Sequence, residues 1–202
     1  MQQLPRSTFR NVAGVFGLAV ALTSLSAVAS PLPPGGWVSL SGTTVADRPE
    51  LAGASDGNDL VQAFACRRGD KTLVVSGVVQ SFHVRSDITA KLDFYFRIFV
   101  DAGSPGWVKS VEVLPYTGIS TDVDYRLDGL GTVAPAWAMR DGSGTKVKFG
   151  FTPGLFAGDD SRFFFVQTDA LYVSSSPGGM TLYVQDGMGE ITCGLQVNAP
   201  QL

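Results

Sequence analysis

The chain has 202 residues, 15 Lys and Arg against 18 Asp and Glu, and a formal net charge of −3. Nucleic-acid binding depends on clustered Lys and Arg, and the densest basic cluster here is only Arg67, Arg68 and Lys71. We therefore expect no nucleic-acid partner. One histidine and two cysteines are too few for a transition-metal site built from several such ligands.

The first 29 residues have the layout of an export signal. Arg6 and Arg10 give a positive start, residues 12–28 are apolar and rich in small side chains, and Ala27 and Ala29 have the spacing that a signal peptidase needs. Hydroxyl residues interrupt the apolar run, which disfavours a retained membrane helix. Cleavage near Ala29 removes 29 of 202 residues and leaves 173; it also removes two arginines, which changes the net charge from −3 to −5.

A Pro- and Gly-rich stretch at 30–36 is interpreted as a hinge, and residues 37–202 as a single domain. From Trp37 onward the hydrophobic pattern has a period of two with β-branched and aromatic residues, which is typical of strands. The pattern predicts about ten strands, in segments 37–40, 60–66, 72–84, 90–100, 108–114, 122–127, 136–140, 146–151, 162–168, 180–185 and 190–197.

No segment carries a sustained helical stripe. The best helical candidate, residues 50–64, contains Gly53 and Gly57, which disfavour a helix. A series of antiparallel strands without helices must bury one face against a second sheet. We therefore predict an all-β antiparallel β-sandwich of jelly-roll type, with a closed barrel as the nearest alternative.

The strand LDFYFRIFV at 92–100 is predicted to lie at the centre of the core. Its alternation places Leu92, Phe94, Phe96, Ile98 and Val100 on one face. That face is expected to pack against aromatic and aliphatic side chains of other strands, either Val147, Phe149 and Phe151 or Phe163 and Phe165.

Cys66 and Cys193 both fall in apolar, strand-like segments. An exported chain meets an oxidising compartment, so the sequence predicts a disulfide between them. Two buried free thiols are the alternative.

No residue is predicted to be catalytic. Residues 53–57 match the spacing G-x-S-x-G, yet no helical pattern follows, and the only histidine, His83, lies on what we interpret as the more polar, partly exposed face of its strand. Glycoside hydrolysis needs two carboxylates across a sugar. An enzyme would need a cleft that joins acids far apart in the chain, chosen from Glu112, Asp122, Asp124 and Glu190.

The segment TDVDYRLDGLG supplies a calcium candidate made of Asp122, Asp124 and Asp128. It does not match an EF-hand loop, because Leu127 occupies the sixth position, where glycine is required. A calcium site between loops, with Asp159 and Asp160, stays open. The alternative is that Asp122 and Asp124 lie on the solvent-exposed face of a strand whose buried face carries Val123, Tyr125 and Leu127.

Three tryptophans, Trp37, Trp107 and Trp137, could offer aromatic faces to sugar rings. Trp107 and Trp137 follow turn-forming residues near strand ends, so they are the best candidates for ligand contact. Packing within the core or along a sheet edge is the alternative.

Four segments resemble uncharacterised exported bacterial proteins that often end in a PEP-CTERM sorting tail. They are residues 37–53, 77–103, 125–144 and 159–170. The resemblance implies a secreted or surface-associated β-sandwich working near an exopolysaccharide matrix, with exopolysaccharide or other surface proteins as partners. The segment ITCGLQVNAPQL lacks a Val-Pro-Glu-Pro motif, which favours release into the periplasm or medium.

Together these observations predict a secreted, non-catalytic surface or matrix protein that binds glycans or proteins weakly and needs no cofactor, with calcium left open. The alternative is a carbohydrate-active, calcium-dependent enzyme on a jelly-roll scaffold.

Overall fold

The computed structural model describes residues 29–55 and 59–201, so the predicted leader lies almost wholly outside the described residues. The described residues form one short 3-10 helix, Pro49–Leu51, and fifteen strands. The strands are β1 (Ser30–Pro31), β2 (Trp37–Ser39), β3 (Gly53–Ser55), β4 (Leu60–Arg67), β5 (Leu73–Ser86), β6 (Leu92–Val100), β7 (Trp107–Leu114), β8 (Thr121–Tyr125), β9 (Pro135–Arg140), β10 (Val147–Leu155), β11 (Phe164–Thr168), β12 (Tyr172–Val173), β13 (Gly178–Asp186), β14 (Gly189–Val197) and β15 (Pro200–Gln201).

The all-β prediction is confirmed, and each of the eleven predicted segments contains a strand. The four additional strands, β1, β3, β12 and β15, have only two or three residues each. Such short elements show no alternation of their own, because a period of two needs four or more residues to be visible.

Two antiparallel sheets form the sandwich. The first sheet has the order β1-β8-β11-β6-β5-β3, with β4 also paired to β5, and the second has the order β14-β13-β7-β10-β9-β2. Their facing sides bury one large cluster, to which Phe96 of β6, Phe149 of β10 and Leu182 of β13 belong. Burial of this apolar area is the main stabilising contribution, at about 25 cal/mol per Å² removed from water.

The predicted core face of β6 is confirmed, since all five of its side chains are fully buried. Of its two alternative sets of predicted partners, the first is confirmed, because Val147, Phe149 and Phe151 belong to the same core cluster. The prediction missed Phe164, which lies 5.7 Å from Phe96 and 4.8 Å from Phe149 between ring centroids. The second set is wrong. Phe163 and Phe165 lie on the opposite side, against Tyr95 and Phe82. The alternation cannot show which of three consecutive phenylalanines points into the core, because either choice of faces places an aromatic ring inward.

The outer face of the first sheet is partly covered by residues 41–52, here called the overlay segment. The N–H of Gly42 donates to Asp124 Oδ1 at 2.8 Å, and Leu51 joins a second buried cluster with Tyr95 and Phe165. Asp124 was expected to be exposed to solvent, and this is wrong because Asp124 is buried. Leu127 was expected to be buried, and this is wrong because Leu127 is exposed.

His83 also differs from the expectation. It shares a face with Val79 and Ser81, as predicted, but that face is the inner one, and His83 is buried with its ring 6.2 Å from that of Phe94. The alternation gives which residues share a face, whereas the side of the sheet that is covered depends on strands far away in sequence.

Residues 30–36 form a crossing between the two sheets. Strand β1 pairs with β8 in the first sheet and β2 pairs with β9 in the second, while Leu32 is buried in the main core. Arg140 of β9 is buried beside this crossing, and its guanidinium donates to the carbonyls of Leu32, Tyr116, Ile119 and Gly144. One cation thus holds three chain segments together.

The predicted disulfide between Cys66 and Cys193 is confirmed, with their Cα atoms 5.6 Å apart. It joins β4 of the first sheet to β14 of the second, at the edge of the sandwich opposite to the crossing. Both lateral edges of the sandwich are therefore tied. None of the helices in the described ranges has the length and apolarity to cross a membrane.

Candidate functional site

The outer face of the second sheet carries all three tryptophans of this protein. The register places Trp37 opposite Met139 and Trp137 opposite Gly150. In the same sheet Gly150 pairs with Ser110, Ser110 with Tyr183, and Trp107 with Gln185. Directly paired residues point to the same side of a sheet. Trp37, Trp107, Trp137 and Tyr183 therefore share one surface, here called the aromatic face.

Two glycines of β10 allow the indole rings to lie directly on the backbone. A Cβ atom at Gly150 would come within 2.0 Å of Trp137 Cε2, and one at Gly154 within 2.6 Å of Trp107 Cδ1. These distances are far below van der Waals contact, so each ring occupies the space above its glycine. Both rings remain partly exposed to solvent, and four residues of strand separate the glycines by at most roughly 13 Å.

Trp37 is the most exposed member of the aromatic face, and Phe156 extends the face beside Trp107. Trp37 is 60% exposed, and the exposed ring of Phe156 lies 5.6 Å from that of Trp107. Exposed tryptophan on a folded domain is informative, because large aromatic surfaces favour contact with a ligand or partner over contact with water.

Charged and hydrogen-bonding groups also lie on the aromatic face: Glu112 and Lys148 share a cross-strand row with Trp37, and Tyr183 shares one with Trp137. Lys148 Nζ lies 3.6 Å from the centroid of the Tyr183 ring, and Tyr183 donates its hydroxyl to Glu112 Oε2 at 3.4 Å. Glu112 Oε1 also pairs with Lys146 Nζ at 3.0 Å. This contact raises the pKa of Lys146, through the hydrogen bond first and the charge second. Burial, followed by the Glu112 charge, raises the pKa of Tyr183.

The predicted ligand residues Trp107 and Trp137 thus lie on one surface, although that surface also includes Tyr183, which sequence reasoning missed. The signal was present in the alternation of Thr181, Tyr183 and Gln185 along β13. The alternation alone could not show that these residues share a face with tryptophans from β7 and β9.

Two of the three predicted calcium ligands, Asp124 and Asp128, bind different protein groups, and the third, Asp122, is half-buried on the outer face of the first sheet. Asp124 accepts the backbone N–H groups of Gly42 and Tyr125, and Asp128 binds Arg126 and the N–H of Val45. Over residues 29–55 and 59–201, the structure holds no group of three or more His, Cys, Asp or Glu side chains able to bind a metal ion. Calcium binding stays a prediction that chelation can test.

Burial and hydrogen bonds also shift the pKa values of the Asp124 and Asp128 carboxyl groups. Burial raises the pKa of Asp124 against the opposing effect of its two N–H donors. At Asp128 burial acts in the same direction, but the Arg126 hydrogen bond and the Val45 N–H outweigh it, so that the pKa is lowered. Both aspartates fasten the overlay segment to the first sheet.

The acids that an enzyme would need lie on opposite sides of the molecule. Glu112 and Glu190 are on the outer face of the second sheet, where Glu190 pairs with Lys109 at 3.0 Å. Asp122 and Asp124 are on the outer face of the first sheet. Residues 53–55 of the G-x-S-x-G spacing form the strand β3, and the other two positions lie outside the described residues.

A buried carboxyl group that sequence reasoning missed lies beneath the overlay segment. Burial raises the pKa of Asp93 from its ordinary value of 3.8 to about 7, with Arg48 acting to lower it and Glu50 and Asp122 acting to raise it. Tyr95 follows Asp93 by two residues on the same face of β6, and burial first, with the Asp93 charge second, raises the pKa of Tyr95.

We expect the free energy of unfolding to fall as pH rises from about 4 to about 7. In that window the folded protein holds a proton on Asp93 that the unfolded chain has released, so raising the pH favours unfolding. Urea unfolding at a series of pH values measures the slope. Asp93→Asn should make this slope shallower, whereas Asp87→Asn, an exposed control, should reproduce the wild-type curve. Equal slopes for wild type and Asp93→Asn would contradict the assignment.

Comparisons of this chain with protein-family models, with curated proteins and with solved structures found no match. The geometry of the chain's own residues therefore carries the functional proposal.

Proposed function

We propose that this is an exported, non-catalytic protein that binds glycan chains through the aromatic face. The observation that carries the proposal is the seating of Trp107 and Trp137 on two glycines of the same strand, on one surface. We expect each partly exposed indole ring to present aromatic surface to the solvent. Sugar rings stack against such faces through their apolar C–H surfaces.

The distance between the two tryptophans favours a polysaccharide chain over a single sugar as the ligand. Two seats separated by up to roughly 13 Å along β10 are too far apart for one ring to cover. An open sheet surface also accepts the middle of a long polymer, which a closed pocket does not. Lys148, Glu112 and the Tyr183 hydroxyl lie beside the seats, where they can form hydrogen bonds with sugar hydroxyls.

Export is supported by the leader pattern in the sequence and by the disulfide, which is typical of oxidising compartments. Glu112 and Glu190 lie on the opposite side of the molecule from Asp122 and Asp124, so these four candidate acids do not share one cleft, which favours binding over hydrolysis. A matrix or surface role follows from these features and from the family resemblance given above.

A glycan array tests the proposal, run with wild type, with Trp137→Ala and with Trp107→Ala. We expect wild type to bind polysaccharide or long oligosaccharide, and each variant to lose about tenfold or more in affinity, since a buried aromatic ring contributes about 1.5 to 3 kcal/mol. Phe99→Ala, which removes an exposed ring from the other sheet, is the matched control and should bind as wild type does.

Running the array with and without a calcium chelator tests the aspartate prediction in the same experiment. The proposal fails if wild type binds no glycan chain, or if both tryptophan variants bind as tightly as wild type. Release of reducing sugar ends from a bound polysaccharide would support the enzymatic alternative instead.

A further inference from the structure

Lys148 of β10 lies beside the Trp137 ring on the aromatic face. The indole of Trp137 occupies the space above Gly150, and Lys148 precedes Gly150 by two residues on the same face of the same strand. Two residues of a strand span roughly 6.6 Å, so the Lys148 side chain starts about that far from the glycine on which the ring rests. A sugar stacked on Trp137 would therefore have Lys148 as a direct neighbour.

The ammonium group of Lys148 reaches across the sheet toward β13. Its Nζ lies 3.6 Å from the centroid of the Tyr183 ring. Strand β7 lies between β10 and β13, and its residue in the row of Tyr183 is the small, buried Ser110. The ring attracts the ammonium through its π electrons, which positions the cation without cancelling its charge.

Glu112 is the cross-strand neighbour of Lys148 on β7. Both of its carboxylate oxygens have other partners, because Oε1 pairs with Lys146 Nζ at 3.0 Å and Oε2 accepts the Tyr183 hydroxyl at 3.4 Å. Over residues 29–55 and 59–201, Lys148 forms no ion pair with a carboxylate. The charge of Lys148 is thus available to a ligand.

The surroundings of Trp107 are different. The cross-strand partner of Trp107 is the neutral Gln185, and the next residue of that row, Glu190, pairs with Lys109 at 3.0 Å. Such a pair offers no net attraction to an anionic group. In the part of the chain that the structure describes, the aromatic face therefore has an unpaired cation beside Trp137 and a compensated pair near Trp107.

An unpaired ammonium beside a stacking ring selects a sugar that carries a negative charge. A pyranose stacked on Trp137 places its ring substituents around the edge of the indole. A carboxylate there can accept a charge-assisted hydrogen bond from Lys148 Nζ, which has three donors. We propose that the aromatic face prefers polysaccharides that contain uronic acid residues, and that Lys148 determines this preference. The inference rests on the glycan-binding function proposed above.

The acids of the surface favour a chain with sparse charges over a dense polyanion. Glu112 and Glu190 lie on the same outer face as Lys148, and the whole chain has a net charge of −3. A densely sulfated polymer would bring anionic groups against both glutamates, and like charges repel. Uronic acid residues interspersed with neutral sugars avoid this repulsion.

Isothermal titration calorimetry tests the preference with hyaluronan and polygalacturonate, each beside its carboxyl-reduced form. Reduction converts the carboxylates into neutral alcohols and keeps the sugar chain. We expect the full-length protein to bind at least one carboxylate form about three- to fivefold more tightly than the reduced form, as for one partly exposed ion pair. The difference should vanish in about 1 M NaCl, where the screening length is about 3 Å. Tighter binding of dextran sulfate than of both carboxylate chains would overturn the proposal.

Three lysine variants locate the preference. Lys148→Gln removes the charge and keeps most of the stem, so it should bind both forms with the affinity that wild type has for the reduced form. Lys148→Arg keeps the charge and should keep the preference. Lys91→Gln, which changes an exposed lysine next to β6 of the first sheet, is the matched control and should bind as wild type does. Thermal melts by circular dichroism check that each variant is folded.

The experiment separates failure of this inference from failure of the proposed function. Trp137→Ala should weaken binding of the carboxylate and reduced chains alike, because it removes the stacking ring. Equal binding of both forms by wild type, or a preference that survives in Lys148→Gln, would overturn the role of Lys148 and leave glycan binding standing. A glycan array on which wild type binds only neutral chains would do the same. Absence of binding to every chain would overturn both.

Discussion

Replacing Phe96 with alanine should lower the free energy of unfolding by about 3 to 5 kcal/mol. Phe96 is fully buried at the centre of β6 and contacts Phe164 of β11, which in turn packs against Phe149 of the second sheet. Truncation removes apolar contacts from both layers and leaves a cavity that neighbouring rings on rigid strands cannot fill. Urea unfolding followed by tryptophan fluorescence measures the change.

Phe99 provides the matched control within the same strand. It points to the outer face and is 42% exposed, so Phe99→Ala should change the free energy of unfolding much less than Phe96→Ala does. Equal destabilisation by the two variants would contradict the assignment of the inner and outer faces of β6, as would an unchanged melting temperature for Phe96→Ala.

Replacing Arg140 with methionine should destabilise the protein by about 2 to 4 kcal/mol. The methionine side chain keeps the apolar stem but leaves buried carbonyl oxygens without their donors, including those of Ile119 and Gly144. Burial lowers the pKa of Arg140, with Asp141 and Asp169 opposing the shift. The loss is largest at the crossing between the sheets, where Leu32 depends on the same guanidinium.

Arg67→Met is the control for this change. Arg67 is exposed and forms one hydrogen bond, from Nη1 to the carbonyl of Lys71 at 3.0 Å, so its loss should change stability by less than about 0.5 kcal/mol. If Arg140→Met is as stable as wild type, the guanidinium does not hold the crossing in the way described. Hydrogen exchange at residues 30–36 would report the loosening directly.

Local pattern predicted the strands well because each long strand carries its own alternation. Residues 92–100 show which five side chains face inward without reference to any other strand. The segment 162–168 does not, because its three phenylalanines fit either phase. The structure assigns Phe164 to the main core and Phe165 to the second cluster.

The candidate sites were less predictable, because each joins residues that are distant in sequence. Trp107 and Trp137 were identified from residue type, but their glycine seats depend on pairing with β10. The burial of Arg48 and Asp93 beneath the first sheet's cover gave no local signal. Arg48 belongs to an irregular segment whose path over the first sheet is set by hydrogen bonds to Asp124 and Asp128, some 80 residues later.

The sequence by itself determined the all-β class and the inward face of β6, and it predicted the disulfide, since alternation, composition and cysteine number act locally or by simple count. Only the tertiary structure decided which outer surfaces are covered, where His83 and Asp124 are buried, and which side chains meet at the aromatic face and beneath the overlay segment. The physical reason is that strand register and the course of irregular segments depend on contacts between residues far apart in the chain, and no local pattern encodes those contacts.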